Sequence, residues 1–213
     1  MRTSISYSSE YLQVDKPQPL IDNHLEQLTN NVLSGKFSSE YIEYSDFIVE
    51  CSNWIEGTHL NTLIKLDEYT HKDITIGCTQ YIDNLYMQGL VQTVAGDYRY
   101  HNRLGLSNIK DVGCLIPCVP LIIAMPFPST GDIHNNMTEL LDECVKKDIS
   151  VHIDGAWISC CRNIVFDFSH PSIKSVGISL SKGLGLGWNR VGIRYTKEPL
   201  NDSIGIMNKF NMN

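Results

Sequence analysis

Two segments hold most of the chemistry in this sequence: Val151-His-Ile-Asp-Gly-Ala-Trp157 and Gly177-Ile-Ser-Leu-Ser-Lys-Gly-Leu-Gly-Leu-Gly-Trp-Asn-Arg-Val-Gly192. An aspartate closes one apolar strand-like run, a lysine closes another, and an arginine follows the lysine by eight positions. Charges in apolar surroundings are costly without partners, so Asp154, Lys182 and Arg190 point to one shared site. A lysine flanked by serine, glycine and an apolar strand can be desolvated and act as a nucleophile towards carbonyls. A carboxylate can hold a proton on a pyridinium nitrogen and keep that ring an electron sink. Arginine is a natural partner for phosphate, together with backbone N–H groups at a helix N-terminus.

The elements that must position these residues follow from periodicity. Ile74-Thr75-Ile76 is a short β-branched run ending at Gly77, and a helix-like stretch continues through Tyr81, Leu85 and Tyr86 to Met87. Leu90–Ala95 is strand-like and stops at Gly96, and Leu121–Met125 is a buried-strand run closed by Pro126, Pro128 and Gly131. Met137–Lys147 is amphipathic, with two lysines in its last turn where the helix dipole favours them. Ser150–Ile153 ends on Asp154, Ser175–Leu180 ends just before Lys182, and Arg190–Tyr195 reads as a further strand. Strands alternating with helices imply an α/β three-layer sandwich with a mainly parallel sheet, in which ligands sit beyond the carboxyl ends of strands. Gly77, Asp154 and Lys182 all fall at such ends. Upstream, Ile21–Val32 has helical spacing and Ser34–Ser39 reads as a turn; a second helical pattern spans Phe47–Leu66, interrupted by Gly57. Residues 1–45 are expected to form an N-terminal segment of helix and loops, and residues 46–213 an α/β domain.

Composition excludes several classes. The chain has 213 residues, 42% of them hydrophobic, enough for one domain with its own core. A net charge of −7 argues against a nucleic-acid partner, which needs a basic face. No apolar run approaches the ~20 residues of a membrane span, and Met1–Tyr11 lacks the plan of a signal peptide, so the cytoplasm is the expected location. Seven scattered cysteines do not form a disulfide framework and are expected as buried free thiols. Cys114 and Cys118 find no second ligand pair, and no metal site is expected. His152, between β-branched residues, reads as a satisfied strand histidine. Gly183-Leu-Gly-Leu-Gly187 lacks the third glycine of a dinucleotide fingerprint, Trp188 standing in its place.

Ser179-Leu-Ser-Lys182, Gly185-Leu186 and Arg190-Val191-Gly192 together resemble the Schiff-base lysine region of pyridoxal-phosphate enzymes of the aspartate aminotransferase fold. Asp154-Gly-Ala156 resembles that family's Asp-x-Ala strand end, and the Lys-to-Arg spacing of eight is similar to the class I/II aminotransferases. The resemblance spans roughly Asp73–Tyr195. It implies pyridoxal 5'-phosphate as cofactor, Lys182 as the lysine that binds it and shuttles a proton, and Asp154 as the partner of the pyridine nitrogen. It further implies Ala156 packed on one ring face, Tyr98, in preference to Tyr100, stacked on the ring, and Ser179 and Arg190 on the phosphate. Gly77-Cys78-Thr79, opening a helix, resembles the phosphate loop. An amino donor with a keto acid, a class I/II-like aminotransferase activity and a homodimer complete what the resemblance implies.

The sequence also departs from the family pattern. Pro126-Phe-Pro-Ser-Thr-Gly131 resembles the Pro-x-Asn-Pro-Thr-Gly turn, but Pro128 stands where asparagine would contact the cofactor's phenolic oxygen. Trp157 replaces the tyrosine expected three after the aspartate; its indole N–H can donate to that oxygen but not accept. Twenty-one residues follow Gly192, so the C-terminal small domain that supplies a substrate-carboxylate arginine is expected to be absent. Arg99, Arg103, Arg162 and Arg194 are the remaining candidates for that task. The alternative reading is a reduced relative that binds cofactor, or only keeps the fold, and serves as a binding or assembly module.

Overall fold

In chain order, α1 (Tyr44–Glu56) is followed by β1 (Thr62–Ile64), β2 (His71–Thr75), α2 (Gly77–Gln88), β3 (Gln92–Val94), α3 (Arg99–Leu104), β4 (Leu106–Ile109) and β5 (Leu121–Ala124). Then come α4 (Met137–Lys146), β6 (Val151–Gly155), β7 (Val165–Asp167), β8 (Ile173–Ser179), the single turn α5 (Leu180–Gly183), β9 (Gly192–Thr196) and α6 (Ser203–Lys209). These elements belong to a computed structural model that describes residues 43–109, 111–184 and 190–210, with isolated positions 27, 31 and 34. Apart from those isolated positions, the expected helix at Ile21–Val32 and turn at Ser34–Ser39 lie outside the described residues, as do Gly185, Leu186 and Trp188.

Among the described residues, seven strands form one sheet in the order β2-β9-β8-β6-β5-β3-β4, while β1 and β7 pair in a separate parallel ribbon. Strand β9 runs antiparallel to both its neighbours. The other six point one way, because β2 and β8 are each antiparallel to β9 and the remaining pairs are parallel. This is the α/β sandwich with a mainly parallel sheet that the alternating pattern implies.

Side-chain parity divides the core into two layers. Leu121, Ile123, Val151, Ile153, Val176, Ile178, Ile193 and Tyr195 join one cluster with Ile55 of α1 and Leu140, Leu141 and Cys144 of α4. Ile122 points the other way and joins Tyr81, Ile82 and Leu85 of α2 and Ile204 of α6. Strand β5, Leu-Ile-Ile-Ala, is buried along its whole length because helices cover both faces, which explains its unbroken apolar run. Each such side chain contributes about 1.5–3 kcal/mol. Helix α2 lies so close to β8 that a Cβ on Gly177 would stand 2.3 Å from the Tyr81 ring. On this face Ser175 Oγ lies 2.7 Å from His152 Nδ1 and 2.8 Å from the Tyr81 hydroxyl. His152 is therefore a satisfied strand histidine, and burial, followed by repulsion from Arg194 and Lys174, pushes its pKa down to about 4.

Arg194 is a correction. Its place on β9 turns it under α2 and α6, where it is 1% exposed and cannot meet a substrate carboxylate. Its Nε and Nη2 donate to Asp73 Oδ2 at 2.9 and 2.6 Å, and Nη1 donates to Asp202. Asp202 also caps α6 by accepting from the Gly205 amide at 2.9 Å, so one guanidinium ties α6 to the sheet. Asn208 of α6 seals the edge strand: its side chain accepts from Ile74 N and donates to Ile74 O, at 2.7 and 2.9 Å.

Other expectations also need correction. The helix expected over Phe47–Leu66 spans Tyr44–Glu56; Gly57 closes it through Asn53 O, and Leu63 belongs to β1 instead. The strand expected from Arg190 begins at Gly192. The thiols are not uniformly buried: Cys78 and Cys144 are, while Cys114 and Cys118 are exposed on the loop leading into β5. Strands β1, β4 and β7 and helix α3 were not expected; each has at most six residues, too few to develop a period. Among the described residues, no helix is long and apolar enough to cross a membrane.

Candidate active site

The strand directions bring the chemical residues to one edge. Gly77 follows the carboxyl end of β2, Tyr98 that of β3 and Lys182 that of β8, while Asp154 is the penultimate residue of β6. Because β9 runs the other way, the segment that enters it, with Arg190, arrives at the same edge.

At the start of α2, Gly77 adopts φ +62°, a left-handed conformation that favours glycine. A Cβ there would lie 3.0 Å from Arg190 Nη2 and 3.1 Å from Nε, so the missing side chain is the space the guanidinium uses. Arg190 Nη2 donates to Thr79 Oγ1 at 2.8 Å, and Arg190 is exposed. The N-cap residue Ile76 supplies no capping side chain, although Gln80 Oε1 accepts from its amide at 2.7 Å, and Gly77, Cys78 and Thr79 lie beside an arginine where the helix dipole favours an anion. Gly77→Ala is expected to cost about 1–2 kcal/mol from the left-handed backbone and to displace Arg190. Urea unfolding together with phosphate-ester binding would measure both effects.

Asp154 is 3% exposed and lies on the same sheet face as α2. Its Oδ1 accepts from Ala156 N at 3.0 Å, and its Oδ2 lies 3.1 Å from His101 Nε2. The Cys78 thiol faces this carboxylate, and burial, with the Asp154 charge, pushes the thiol well above its ordinary pKa, so at neutral pH it carries its proton. Ala156 packs in the cluster that holds Cys78 and Tyr81.

Lys182 is half-buried in α5, with its Nζ 4.7 Å from the centre of the Trp157 ring. That is within the range of a cation–π contact, which orients the amine without consuming a carboxylate. Turn α5 is held against the segment after β6: Ser159 Oγ donates to Ser179 O at 2.7 Å, and a Cβ on Gly183 would meet Ser159 at 2.6 Å. Ser179 itself is buried beside the start of β9.

Tyr98 is 45% exposed, with its ring edge-on to His101 at a centroid distance of 5.4 Å. Tyr100 is drawn instead to α2, where its hydroxyl donates to Asp83 at 2.7 Å. Tyr98, His101 and Asp154 thus form a continuous column. His101 was missed at the sequence level, although its position three after Tyr98, one helical turn on, was a legible cue once α3 is known. Pro128 is exposed and has no side-chain donor. Arg99, Arg103 and Arg162 are exposed as well.

The mainly parallel sheet with one antiparallel strand and helices around it matches the large-domain fold of the aspartate aminotransferase type. It is similar to a PLP-bound putative aminotransferase from Clostridium difficile, with TM-score 0.61 and 12% identity over 90% of this chain and 57% of that one. The PLP-bound C-S lyase of Staphylococcus hominis gives TM-score 0.58 and 13% identity over 89% and 57%. Tyrosine aminotransferase from Leishmania infantum gives TM-score 0.56 and 17% identity over 85% and 59%. The chain spans less than two thirds of the length of each of these structures. No family model and no curated protein matches it.

Proposed function

We propose that this edge binds pyridoxal 5'-phosphate and uses Lys182 to process an amino acid or related amine, by transamination with a keto acid as second substrate. The observation that carries the reading is the convergence of three chemically distinct parts: Arg190 and Thr79 around the vacant side-chain space of Gly77, Asp154 with His101, and Lys182 on Trp157. The donor set fits the cofactor. Gly77, Cys78, Thr79, Ser179 and Arg190 would hold its phosphate, Asp154 its ring nitrogen, and Tyr98 and Ala156 its two faces. When bound, the cofactor supplies an electron sink for a carbanion on the substrate.

The chain's own residues supply the rest. Arg190 and the α2 amides neutralise and orient a phosphate. His101 Nε2 and the Ala156 amide fix one oxygen each of Asp154, so the carboxylate cannot rotate away. Lys182 Nζ, guided by the indole face, is the group that takes and returns a proton at the substrate carbon. Trp157 Nε1 can donate a hydrogen bond but cannot take a proton. Arg190→Ala is expected to weaken cofactor binding roughly 10- to 100-fold, the worth of charge-assisted hydrogen bonds. Titration of the visible absorbance of the protein with pyridoxal phosphate measures it.

We also propose a homodimer. A groove of ≈ 370 Å³ lies beside Thr79 and Arg190, and Ile76 and Met87 on its wall are 50% and 83% exposed. Pro128 favours a second reading, cofactor binding without turnover, because it removes a side-chain donor from the turn after β5. Adding each standard amino acid to the cofactor-loaded protein separates the two readings. A spectral change with a matching keto acid product supports transamination, and an unchanged spectrum across the series supports binding alone.

A further inference from the structure

Asp97 has no part in the reading above, yet it is 5% exposed and lies directly before Tyr98. Strand β3 stops at Val94, and Gly96, at φ +85°, turns the chain back towards β5. On β5 the Met125 amide bonds to Asp154 O, so the Ala124 amide faces the opposite side, where β3 has already ended. The Asp97 carboxylate takes its place: Oδ2 accepts from Ala124 N and from Thr93 Oγ1, both at 3.1 Å. Oδ1 accepts from Tyr98 N at 2.5 Å. The Asp97 carbonyl in turn accepts from Asn102 Nδ2 at 2.6 Å, fastening the first turn of α3.

We propose that Asp97 is a positioning residue for the Tyr98 ring: its ionised carboxylate bolts the Tyr98 backbone to β3 and β5 and so sets the ring's height over the site. This rests on the reading of the edge as a cofactor site. An ionised carboxylate offers only acceptors, matching three donors, whereas a protonated one turns an O–H towards them. The titratable groups that face Asp97 are His101 of α3, Asp154 of β6 and Tyr86 of α2. Burial pushes the carboxyl up to about 6, opposed by His101 and the Tyr98 and Ala124 amides, while Asp154 adds to the rise. The platform is therefore fully set above that pH and loosens below it. Stability moves the other way: a raised carboxyl pKa contributes stability that is complete below its unfolded value of 3.8 and lost as pH rises through about 6.

The test uses the whole chain and two readouts. In the cofactor-free protein, the Tyr98 and Ala124 amide resonances should titrate together with a midpoint near 6. That titration should vanish in Asp97→Asn and move to higher pH in Thr93→Val, which removes one donor to the charged form. With pyridoxal phosphate as probe, affinity should fall below the midpoint through this group, by at most about tenfold per pH unit. Asp97→Asn should bind more weakly at pH 7.5 and lack that component of the fall. Amides that do not titrate, or that titrate unchanged in both variants, would overturn the proposal. Amides that titrate as expected in a protein with no pyridoxal phosphate affinity would keep the strut and overturn the cofactor reading. If Asp97→Asn does not fold, Thr93→Val carries the decision.

Discussion

Lys182→Ala is expected to abolish covalent retention of pyridoxal phosphate and to lower any turnover by at least about 100-fold, the worth of a positioned proton-transfer group. The substitution should leave the fold intact. Lys182 is half-buried, its contact is to the face of Trp157, and α5 is held by Ser159 and the backbone rather than by the ammonium. Non-covalent binding should persist, because Arg190, Thr79 and the amides of α2 remain. A Lys182→Ala protein that still fixes the cofactor covalently on borohydride reduction would mean that another amine captures it.

The largest expected loss of stability lies away from the site. Asp73→Ala would leave Arg194, 1% exposed, with Asp202 but without Asp73, and removing one member of a buried charge network costs about 3–5 kcal/mol. The same change removes the sheet end of the Asp73–Arg194–Asp202 tie while Asp202 keeps its bonds to Arg194, Gly205 and Asn84, so α6 and the seal of Asn208 on β2 should loosen first. Urea unfolding followed by circular dichroism gives the magnitude. Hydrogen exchange at Ile74 and Gly205 tests whether α6 detaches before the sheet unfolds. A loss below 1 kcal/mol would show that water or Asp202 compensates the guanidinium.

Much of the central sheet was legible because its strands carry β-branched and other apolar residues in short runs. Leu121–Ala124 is buried along its length, and Val151–Gly155 and Ile173–Ser179 are buried except at half-buried His152 and exposed Lys174. The direction of β9 was not legible, since alternation reads the same in either sense. That direction nevertheless decides the site, because it brings Arg190 to the edge occupied by Asp154 and Lys182. Position relative to β9 likewise separates two arginines that look alike in sequence: Arg190 precedes the strand and is open to solvent, whereas Arg194, inside it, is buried under two helices. His101 and Asp97 carried no period or motif of their own. Their placement depends on the chain turning at Gly96 and on β5 extending beyond β3, both of which are tertiary facts.

Borohydride trapping with peptide mapping tests the central claim most directly. The protein is incubated with pyridoxal phosphate, reduced, digested and weighed by mass spectrometry. One reduced cofactor per chain is expected, on the peptide that contains Lys182. No label, or label spread over exposed lysines such as Lys146 and Lys174, would contradict it.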